Sequence, residues 1–429
     1  MNVYLDSIGC RLNQSEIERI ARQFVTAGHG LVNSAEEADL VVINTCAVTA
    51  KAASDSRSKI RQAVRKNPAV KVISTGCWSD LEPERAAKMD NIVQVVLNAE
   101  KEQLAQDYLN LPIDYFNLHT PDYSVDMPGS HANVRAFIKV QDGCDNFCTF
   151  CVTRLARGKS RSLLMAEIIN EINAVHQTGT AEVVLSGVNL GAWGRDLHQP
   201  STLATLLQQI LSETDIPRIR LSSLEPWDIG ETFFTLWENP RLCRHFHLPL
   251  QSGSDAVLKR MARRITAEKF ISLAKAAKQL IPDLALTTDV IVGFPGETDT
   301  DFQQTMTFVE QVGFSAGHIF SYSARPGTPA YRLQGLVEAQ LKKDRSKKMR
   351  ERFQQMGETF REQQIGKTFE VLWESSQQTG SGQWCLSGLT DTYLRVKIQH
   401  SENRVGKIDK IIITGYKKAI LEGHTSKMK

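Results

Sequence analysis

The sequence predicts an α/β protein built from three parts in series, and three observations predict it. Near the N-terminus, short β-branched apolar segments are each followed by helical sequence, which is typical of a parallel sheet. The alternation returns with longer spacing from Val134, and after Gly366 short apolar segments alternate with Gly, Asn and Asp turns. We therefore predict an N-terminal parallel-sheet domain over 1–112, a central partial (β/α)6 barrel over 130–360 and a small C-terminal β-barrel over 364–426.

Composition indicates an ordinary soluble globular protein, with 429 residues, 41% hydrophobic and 23% charged. The first residues carry no basic and apolar leader, and no run of about 18 apolar residues occurs. We therefore expect a cytoplasmic protein without a membrane partner. Eight cysteines in such a chain favour metal ligation over disulfides.

The N-terminal part contains four predicted strands and four helical segments. The strands are 3–5, 40–43, 70–73 and 92–97; the helices are 15–24, 52–64, 82–89 and 101–109, before a linker at 111–132. Cys10, Cys46 and Cys77 each follow the carboxyl end of a predicted strand. Those ends share one edge of a parallel sheet, so the three thiols are expected to converge there and hold an iron–sulfur cluster. The alternative is that buried cysteines merely pack.

The central part contains six predicted strands alternating with helices. The strands are 136–140, 182–186, 219–222, 245–250, 285–292 and 316–322; the helices are 164–177, 203–213, 231–238, 267–280 and 299–311. In barrels of this kind the chemistry lies on the loops that follow the strands. The first such loop carries Cys144, Cys148 and Cys151.

These three cysteines have the spacing Cys-x3-Cys-x2-Cys. A [4Fe–4S] cluster normally takes four thiolates, so three leave one iron open for a substrate or cofactor. A zinc knuckle or three free thiols are the alternatives. Zinc would require a fourth Cys or His nearby, and the next twenty residues contain neither. Cys243 and Cys385 have no partner at ligand spacing, and we expect both to be structural.

The C-terminal part is basic. Residues 338–429 carry 18 Lys and Arg against 11 Asp and Glu, which leaves the rest of the chain mildly acidic. A long basic helix is predicted over 338–364, followed by strands at 368–373, 383–386, 393–398 and 407–414. Basic side chains on a small barrel suit contact with a nucleic-acid backbone, although a solvated charged face would have the same composition.

These features together resemble the radical S-adenosylmethionine (SAM) methylthiotransferases over nearly the whole chain. The matching segments are 9–16, 44–46, 75–77, 141–151 and 156–162. The family joins a three-cysteine domain, a radical-SAM core and an RNA-binding TRAM barrel. Segments 185–191, 220–226 and 388–393 are most similar to the branch that modifies threonylcarbamoyladenosine in tRNA. One departure from the family lies at 152–155. The family usually has two apolar residues, a proline and an aromatic residue there, whereas this chain has Val-Thr-Arg-Leu. The departure concerns the shape of the loop on the substrate side.

The resemblance implies two [4Fe–4S] clusters and SAM as cofactors. Cys144, Cys148 and Cys151 would hold the cluster that cleaves SAM to a radical that removes hydrogen from carbon 2 of adenosine 37. Cys10, Cys46 and Cys77 would hold the cluster that presents sulfur, and a second SAM would supply the methyl group. Phe150 would stack near the adenine of SAM, and Gly187, Glu225 and Gln251 are expected to contact this cofactor.

The implied partners are a tRNA anticodon loop, an electron donor such as flavodoxin or ferredoxin, and a sulfur donor. Three other functions remain open at this point. The first two are methylthiolation of isopentenyladenosine in tRNA and methylthiolation of an aspartate in a ribosomal protein. The third is a non-catalytic iron–sulfur protein that binds RNA and senses redox state.

Overall fold

The fold is taken from a computed structural model that describes residues 1–119, 123, 134–380 and 382–425. Most of the linker predicted at 111–132 lies outside these residues; its described part includes a short helix at Tyr115–Leu118. Within the described residues, no helix combines the length and the apolar character that crossing a membrane requires.

The N-terminal sheet has five strands, and all of its strand pairs are parallel. In spatial order the strands are Gly30–Leu31, Asn2–Ser7, Leu40–Thr45, Lys71–Gly76 and Ile92–Val96. Helices Arg11–Thr26 and Ala50–Lys66 follow the first and third strands of the chain. Every residue of Leu40–Thr45 is buried, because other strands and helices cover this central strand on all sides. The predicted parallel α/β sheet is thus confirmed.

The helical segment predicted at 82–89 is divided in the structure. One helix spans Cys77–Leu81 and a second spans Pro83–Ala87. Glu82 between them is not helical, with φ of −131° and ψ of 55°. A proline disfavours helical geometry in the residue before it and is well suited to start a new helix, so Pro83 explains the division. The segment predicted at 101–109 begins with a 3₁₀ turn, Lys101–Gln103, before helix Leu104–Tyr108.

The central part is a partial barrel of six parallel strands. In spatial order they are Arg218–Leu221, Glu182–Ser186 and Arg135–Lys139 in one sheet, and His245–His247, Ala285–Val292 and Ala316–Ser321 in the other. Isolated parallel bridges, such as Ser223 with His247, join the two sheets. The main outer helices are Met165–Gln177, Leu203–Glu213, Ala267–Leu280 and Asp299–Val312. The strand predicted at 245–250 ends at His247, close to Pro249, which lacks an N–H.

Smaller elements complete the core. The segment predicted at 231–238 is a helix, Glu231–Phe234, that continues as a 3₁₀ turn, Thr235–Glu238. The sequence analysis did not predict helices Thr153–Arg157 and Asp255–Arg260 or the short pair Gln141–Asp142 and Arg161–Ser162. The long basic helix spans Ala339–Glu362 and packs on the last core strand, where Phe353 leaves no room for a side chain at Gly317.

The C-terminal part is a closed five-stranded barrel. Its strands are Thr368–Gln378, Trp384–Thr390, Arg395–His400, Ile408–Lys417 and Ile420–Thr425. The last strand was not predicted, and it closes the barrel by pairing with Ile408–Lys417 and Arg395–His400. Lys418 and Ala419 make the hairpin turn with φ of +47° and +66°. This two-residue turn lacks the Asn or Gly that usually marks it in a sequence.

One loop of this barrel docks on the amino-terminal ends of the core strands. Arg218 donates to the carbonyl of Leu389 at 3.2 Å, and Arg220 donates to the carbonyls of Thr390 and Asp391 at 3.1 and 2.9 Å. The next residues of the loop reach Tyr393, whose ring stacks on His245 with centroids 4.9 Å apart. Arg11 of the N-terminal domain donates to the Tyr393 hydroxyl. All three parts of the chain therefore meet around Tyr393.

Candidate active site

Three cysteines lie at the carboxyl edge of the N-terminal sheet. Cys10, Cys46 and Cys77 follow the ends of three adjacent strands. Gly9 has φ of +103°, and a Cβ there would come within 2.6 Å of the Cys46 sulfur. Only glycine lets the chain approach this closely. Burial raises the pKa of Cys46 to about 11, so this thiol stays uncharged until a metal displaces its proton.

The second group of cysteines lies on the loop after the first core strand. Cys144, Cys148 and Cys151 line one cavity. Gly143 has φ of +66°, and a Cβ there would fall 1.9 Å from the carbonyl oxygen of Lys159, so the loop folds back only with glycine at this position. Burial raises the pKa of Cys144 to about 12 and that of Cys148 to about 11.

In the described part of the chain, neither group of cysteines is as closely spaced as the ligands of one zinc ion. A tetrahedral zinc with Zn–S bonds of about 2.3 Å brings its sulfurs to about 3.8 Å from one another. Among the described residues, only His247, Asp289 and His318 place three candidate ligand atoms within 4.8 Å of one another. Neither cysteine group is that tight. Two sets of three thiols at wider spacing fit a larger polynuclear group, which agrees with the [4Fe–4S] interpretation.

Arg157 connects the two cysteine groups. Its side chain is buried, and Nε donates to the Cys77 sulfur at 3.3 Å. Nη1 donates to Asp142, two residues before Cys144, at 2.9 Å, and Nη2 donates to Asn13 at 2.6 Å. One guanidinium therefore holds Cys77 of the first group against the loop that carries the second group. The sequence analysis quoted Arg157 within segment 156–162 but gave it no role.

Glu16 carries the opposing charge in this network. It accepts from Arg157 Nη1 at 2.8 Å and from Lys101 at 2.7 Å, and Lys139 lies 3.4 Å away. Burial alone would raise the pKa of Glu16, but the charges of Arg157, Lys101 and Lys139 hold it well below its usual range. Desolvated ions of this kind are stable only when fully paired. The network thus fixes the relative position of the two sites.

The cavity beside the second group has a volume of about 210 Å³. Its lining combines the three cysteines with polar residues from elsewhere in the core: Ser223, Glu225, Gln251, Arg263 and Asp289. Arg263 is clamped to Glu225 by bonds of 3.0 and 2.7 Å and points Nη1 at the Cys148 sulfur, 3.8 Å away. Such a site can hold a polar ligand against an open metal position.

The structure brings together three of the four residues predicted to contact SAM. Phe150, Glu225 and Gln251 line the cavity with the cysteines. Gly187 does not line it, although the next residue, Val188, does. A Cβ on Gly187 would lie 3.1 Å from the side chain of Gln141, so this glycine serves packing between neighbouring loops. Phe150 packs edge-on against Phe294, with ring centroids 6.5 Å apart.

The unusual segment after Cys151 forms the start of helix Thr153–Arg157. The backbone N–H of Thr153 donates to the Cys151 sulfur at 3.4 Å. Arg154 lies over the ring of Phe147, 3.8 Å from its centroid, and Phe147 is exposed. The segment therefore supports one thiol and presents a cation and an aromatic ring at the mouth of the cavity.

Comparisons with known proteins agree with this architecture. The family model described as "Radical SAM superfamily" matches residues 138–309, and the model described as "Uncharacterized protein family UPF0004" matches residues 2–98. Among solved structures, the radical SAM methyltransferase TsrM from Kitasatospora setae is similar with a TM-score of 0.56 at 15% identity. That match covers 88% of this chain and 81% of TsrM, and it supports the partial barrel of the core.

Similar curated proteins cover almost the whole chain. "Threonylcarbamoyladenosine tRNA methylthiotransferase MtaB" of Thermotoga maritima is 37% identical over 95% of this chain and 93% of its own length. The protein of the same name in Bacillus subtilis is 34% identical over 96% and 93%. A "tRNA-2-methylthio-N(6)-dimethylallyladenosine synthase" of Clostridium tetani is 30% identical over 98% and 95%. The chain therefore belongs to the radical-SAM methylthiotransferase family.

Proposed function

We propose that this enzyme methylthiolates carbon 2 of threonylcarbamoyladenosine at position 37 of tRNA. The observation that carries the proposal is the pair of cysteine groups joined by Arg157. A family member with two cysteine groups joined in this way has the parts for radical formation and for sulfur delivery. The names of the relatives from T. maritima and B. subtilis support threonylcarbamoyladenosine as the substrate.

The residues have separate tasks in this proposal. Cys144, Cys148 and Cys151 hold one [4Fe–4S] cluster, and Cys10, Cys46 and Cys77 hold the other. When bound, the clusters supply the electron that cleaves SAM and the sulfur that is transferred to carbon 2. Phe150, Glu225 and Gln251 orient SAM in the cavity, while Arg157 fixes the distance between the sites. The protein thereby positions reactants and excludes water around chemistry that the cofactors perform.

The partners follow from the substrate. The C-terminal barrel offers exposed cations at Lys397, Lys407, Lys410, Lys417 and Lys418 for the RNA backbone. Three other basic residues predicted there are paired with carboxylates: Lys367 with Asp283, Arg395 with Glu374 and Arg404 with Asp409. Bases of an anticodon loop can be splayed out into a pocket, which a duplex does not allow. The proposal also includes an electron donor such as flavodoxin or ferredoxin, a sulfur donor and a cytoplasmic location. It keeps the domain boundaries predicted from the sequence.

The proposal is tested by mass spectrometry of tRNA nucleosides. The anaerobically reconstituted enzyme, with SAM, dithionite and sulfide, is given tRNA that carries either threonylcarbamoyladenosine or isopentenyladenosine. We expect 2-methylthio product from the first substrate. Product only from isopentenyladenosine, or only on a ribosomal protein, would reassign the substrate. No SAM turnover after reduction would favour the non-catalytic sensor.

A further inference from the structure

An Asp–His pair lies on the inner face of the core barrel, beside the cavity that the cysteines line. His318 and Asp289 are directly paired across neighbouring strands, with His318 Nδ1 3.1 Å from Asp289 Oδ1. Asp289 belongs to the cavity lining, whereas the His318 side chain is 71% exposed. Its strand neighbour Ile319 is buried, and Phe320 is exposed on the same inner face as His318. The strand therefore presents a histidine and an aromatic ring to the interior.

The neighbours of His318 leave one donor available. His247 Nε2 lies 3.3 Å from the same Asp289 oxygen, and its Nδ1 is 3.0 Å from the hydroxyl of Thr287. The hydrogen bond to Asp289 raises the pKa of His318. With Nδ1 engaged by Asp289, the other ring nitrogen of His318, Nε2, is turned away from the carboxylate. In the described part of the chain, this nitrogen has no hydrogen-bond partner.

The balance of charge around this face favours an anionic ligand. Asp289 is held ionised by the two histidines, although burial alone would raise its pKa. The negative charge of Asp289 is therefore already paired with these two histidines. Arg11 adds a second positive charge, close enough to lower the pKa of His318. Its guanidinium rests over the Tyr393 ring, 4.9 Å from the centroid. A guanidinium thus acts on the histidine electrostatically, and the Phe320 ring lies beside it with ring centroids 6.4 Å apart.

We propose that His318, oriented by Asp289 and assisted by Arg11, binds the carboxylate of the amino-acid substituent on the target base and so selects this base. This inference rests on the proposed function and extends it to the choice between modified bases. The substituent on N6 leaves the purine ring beside N1, on the same edge as carbon 2. With carbon 2 directed at the cysteine side of the cavity, the carboxylate comes to the wall that carries His318. An isopentenyl group has no charge to match this wall.

His247, Asp289 and His318 could instead hold a divalent metal, because two His nitrogens and a carboxylate oxygen are a common ligand set. The 3.1 Å contact between His318 and Asp289 is a hydrogen-bond distance, and the His318 side chain is 71% exposed. These observations favour ligand binding, and the metal becomes one outcome of the test.

The test uses anticodon stem-loop RNAs that differ only at position 37. One carries threonylcarbamoyladenosine, and the other carries the methyl amide of the same substituent, which is neutral. For the wild type we expect a lower KM for the carboxylate. His318→Leu should raise that KM about 10- to 100-fold, as expected when a hydrogen bond to a charged group is removed, and should leave the KM for the amide nearly unchanged. His318→Gln keeps an N–H donor and should recover part of the effect.

The control is His29→Leu, at the far edge of the N-terminal sheet, which should leave both KM values unchanged. Iron content and SAM cleavage without RNA should match the wild type in all variants, which shows intact folding. If His318→Leu raises KM equally for both RNAs, or raises neither, the inference is overturned. Product formation by the wild type would still support the proposed function in that case. If the wild type contains about one zinc per chain and His318→Leu contains none, the three residues form a metal site and the inference is wrong. A wild type inactive on threonylcarbamoyladenosine would reject the proposed function itself.

Discussion

Arg157 Nε lies 3.3 Å from the sulfur of Cys77, and this contact joins the N-terminal sheet to the core barrel. The same guanidinium is bound to Glu16 and Asp142, so the arginine is the centre of a buried charge network. Two sites built on separate sheets thereby acquire a fixed distance. The first prediction concerns this contact.

Replacing Arg157 by Gln should destabilise the protein and empty the N-terminal site. The change leaves Asp142 and Glu16 short of a positive partner in a buried environment, which typically costs about 3–5 kcal/mol of unfolding free energy. Iron in the reconstituted protein should fall from about eight atoms per chain toward about four. Arg161→Gln is the matched control, because Arg161 binds the same Asp142 from a half-exposed position and should cost about 1 kcal/mol or less. Equal effects of the two changes would refute the central role of Arg157.

Replacing single cysteines should separate the two sites by function. Cys144→Ala should abolish formation of 5′-deoxyadenosine from SAM. Cys10→Ala should leave that cleavage intact and stop the transfer of sulfur, because the cysteine lies at the other site. Cys385→Ala, in the C-terminal barrel, is the control and should change neither. Methylthiolated tRNA produced by the Cys10 variant would show that the N-terminal site is misassigned.

Replacing Gly143 by Ala should cost far more than replacing Gly179, although both glycines have positive φ. A Cβ on Gly179, with φ of +96°, meets nothing within 4 Å, so the cost is conformational strain of about 1–3 kcal/mol. A Cβ on Gly143 would overlap the Lys159 carbonyl, and the cysteine loop has to move. Thermal unfolding and iron content measure the difference. We expect only Gly143→Ala to lose the iron of the core site, and retention of that iron would contradict the argument.

Stability should depend on pH through Glu18. Burial raises the pKa of Glu18 to about 7 from an ordinary value of 4.5. The folded protein therefore holds this proton more tightly than the unfolded chain, so stability is full below about pH 4.5 and falls as pH rises toward 7. Glu18→Gln removes this penalty, and it should raise the unfolding free energy by about 2–3 kcal/mol at pH 8 and by less at pH 5.

Replacing Glu16 by Gln, in the same helix, should change the unfolding free energy in the opposite direction. The pKa of Glu16 is held well below its usual range, so its carboxylate is charged and paired at both pH values. Its replacement should destabilise the protein at pH 5 and at pH 8 alike. Denaturant unfolding at the two pH values checks both variants, and a pH-independent effect of Glu18→Gln would contradict the assigned pKa.

The exposed lysines of the C-terminal barrel should set the salt dependence of RNA binding. Changing Lys410 or Lys417 to Ala removes one cation from the RNA backbone if the barrel binds it. The slope of log Kd against log salt should then decrease by about 0.7–0.9 for each phosphate that is no longer neutralised. Lys71→Ala, exposed in the N-terminal sheet, is the control. A slope unchanged by the barrel variants would assign RNA binding to another surface.

The sequence predicts the strands and their cysteines well because both depend on local patterns. Leu40–Thr45 is recognisable from its unbroken apolar run, and the position of Cys46 follows from the rule for parallel sheets. Interactions between distant residues are different. The bond between Arg157 and Cys77 spans 80 positions, and no spacing of residues indicates it. The same holds for Arg263, which reaches Cys148 across 115 positions.

The errors at the level of elements also have local causes. The final strand, Ile420–Thr425, follows a turn made by Lys418 and Ala419, whose residue types do not favour positive φ. The short helix after Cys151 begins without a capping side chain, so only the surrounding loop fixes it. Gly187 packs closely against Gln141, and its contact with SAM stays a prediction.

The contact between Arg11 and Tyr393 has a consequence for how the protein is made. Arg11 directly follows Cys10, and its partner lies 382 positions further along the chain. While the ribosome is still translating the last domain, the start of the chain has emerged but lacks this neighbour. The surroundings of Cys10 are therefore completed only once the last domain has been made, and a chain truncated before Tyr393 lacks this contact between its first and last domains.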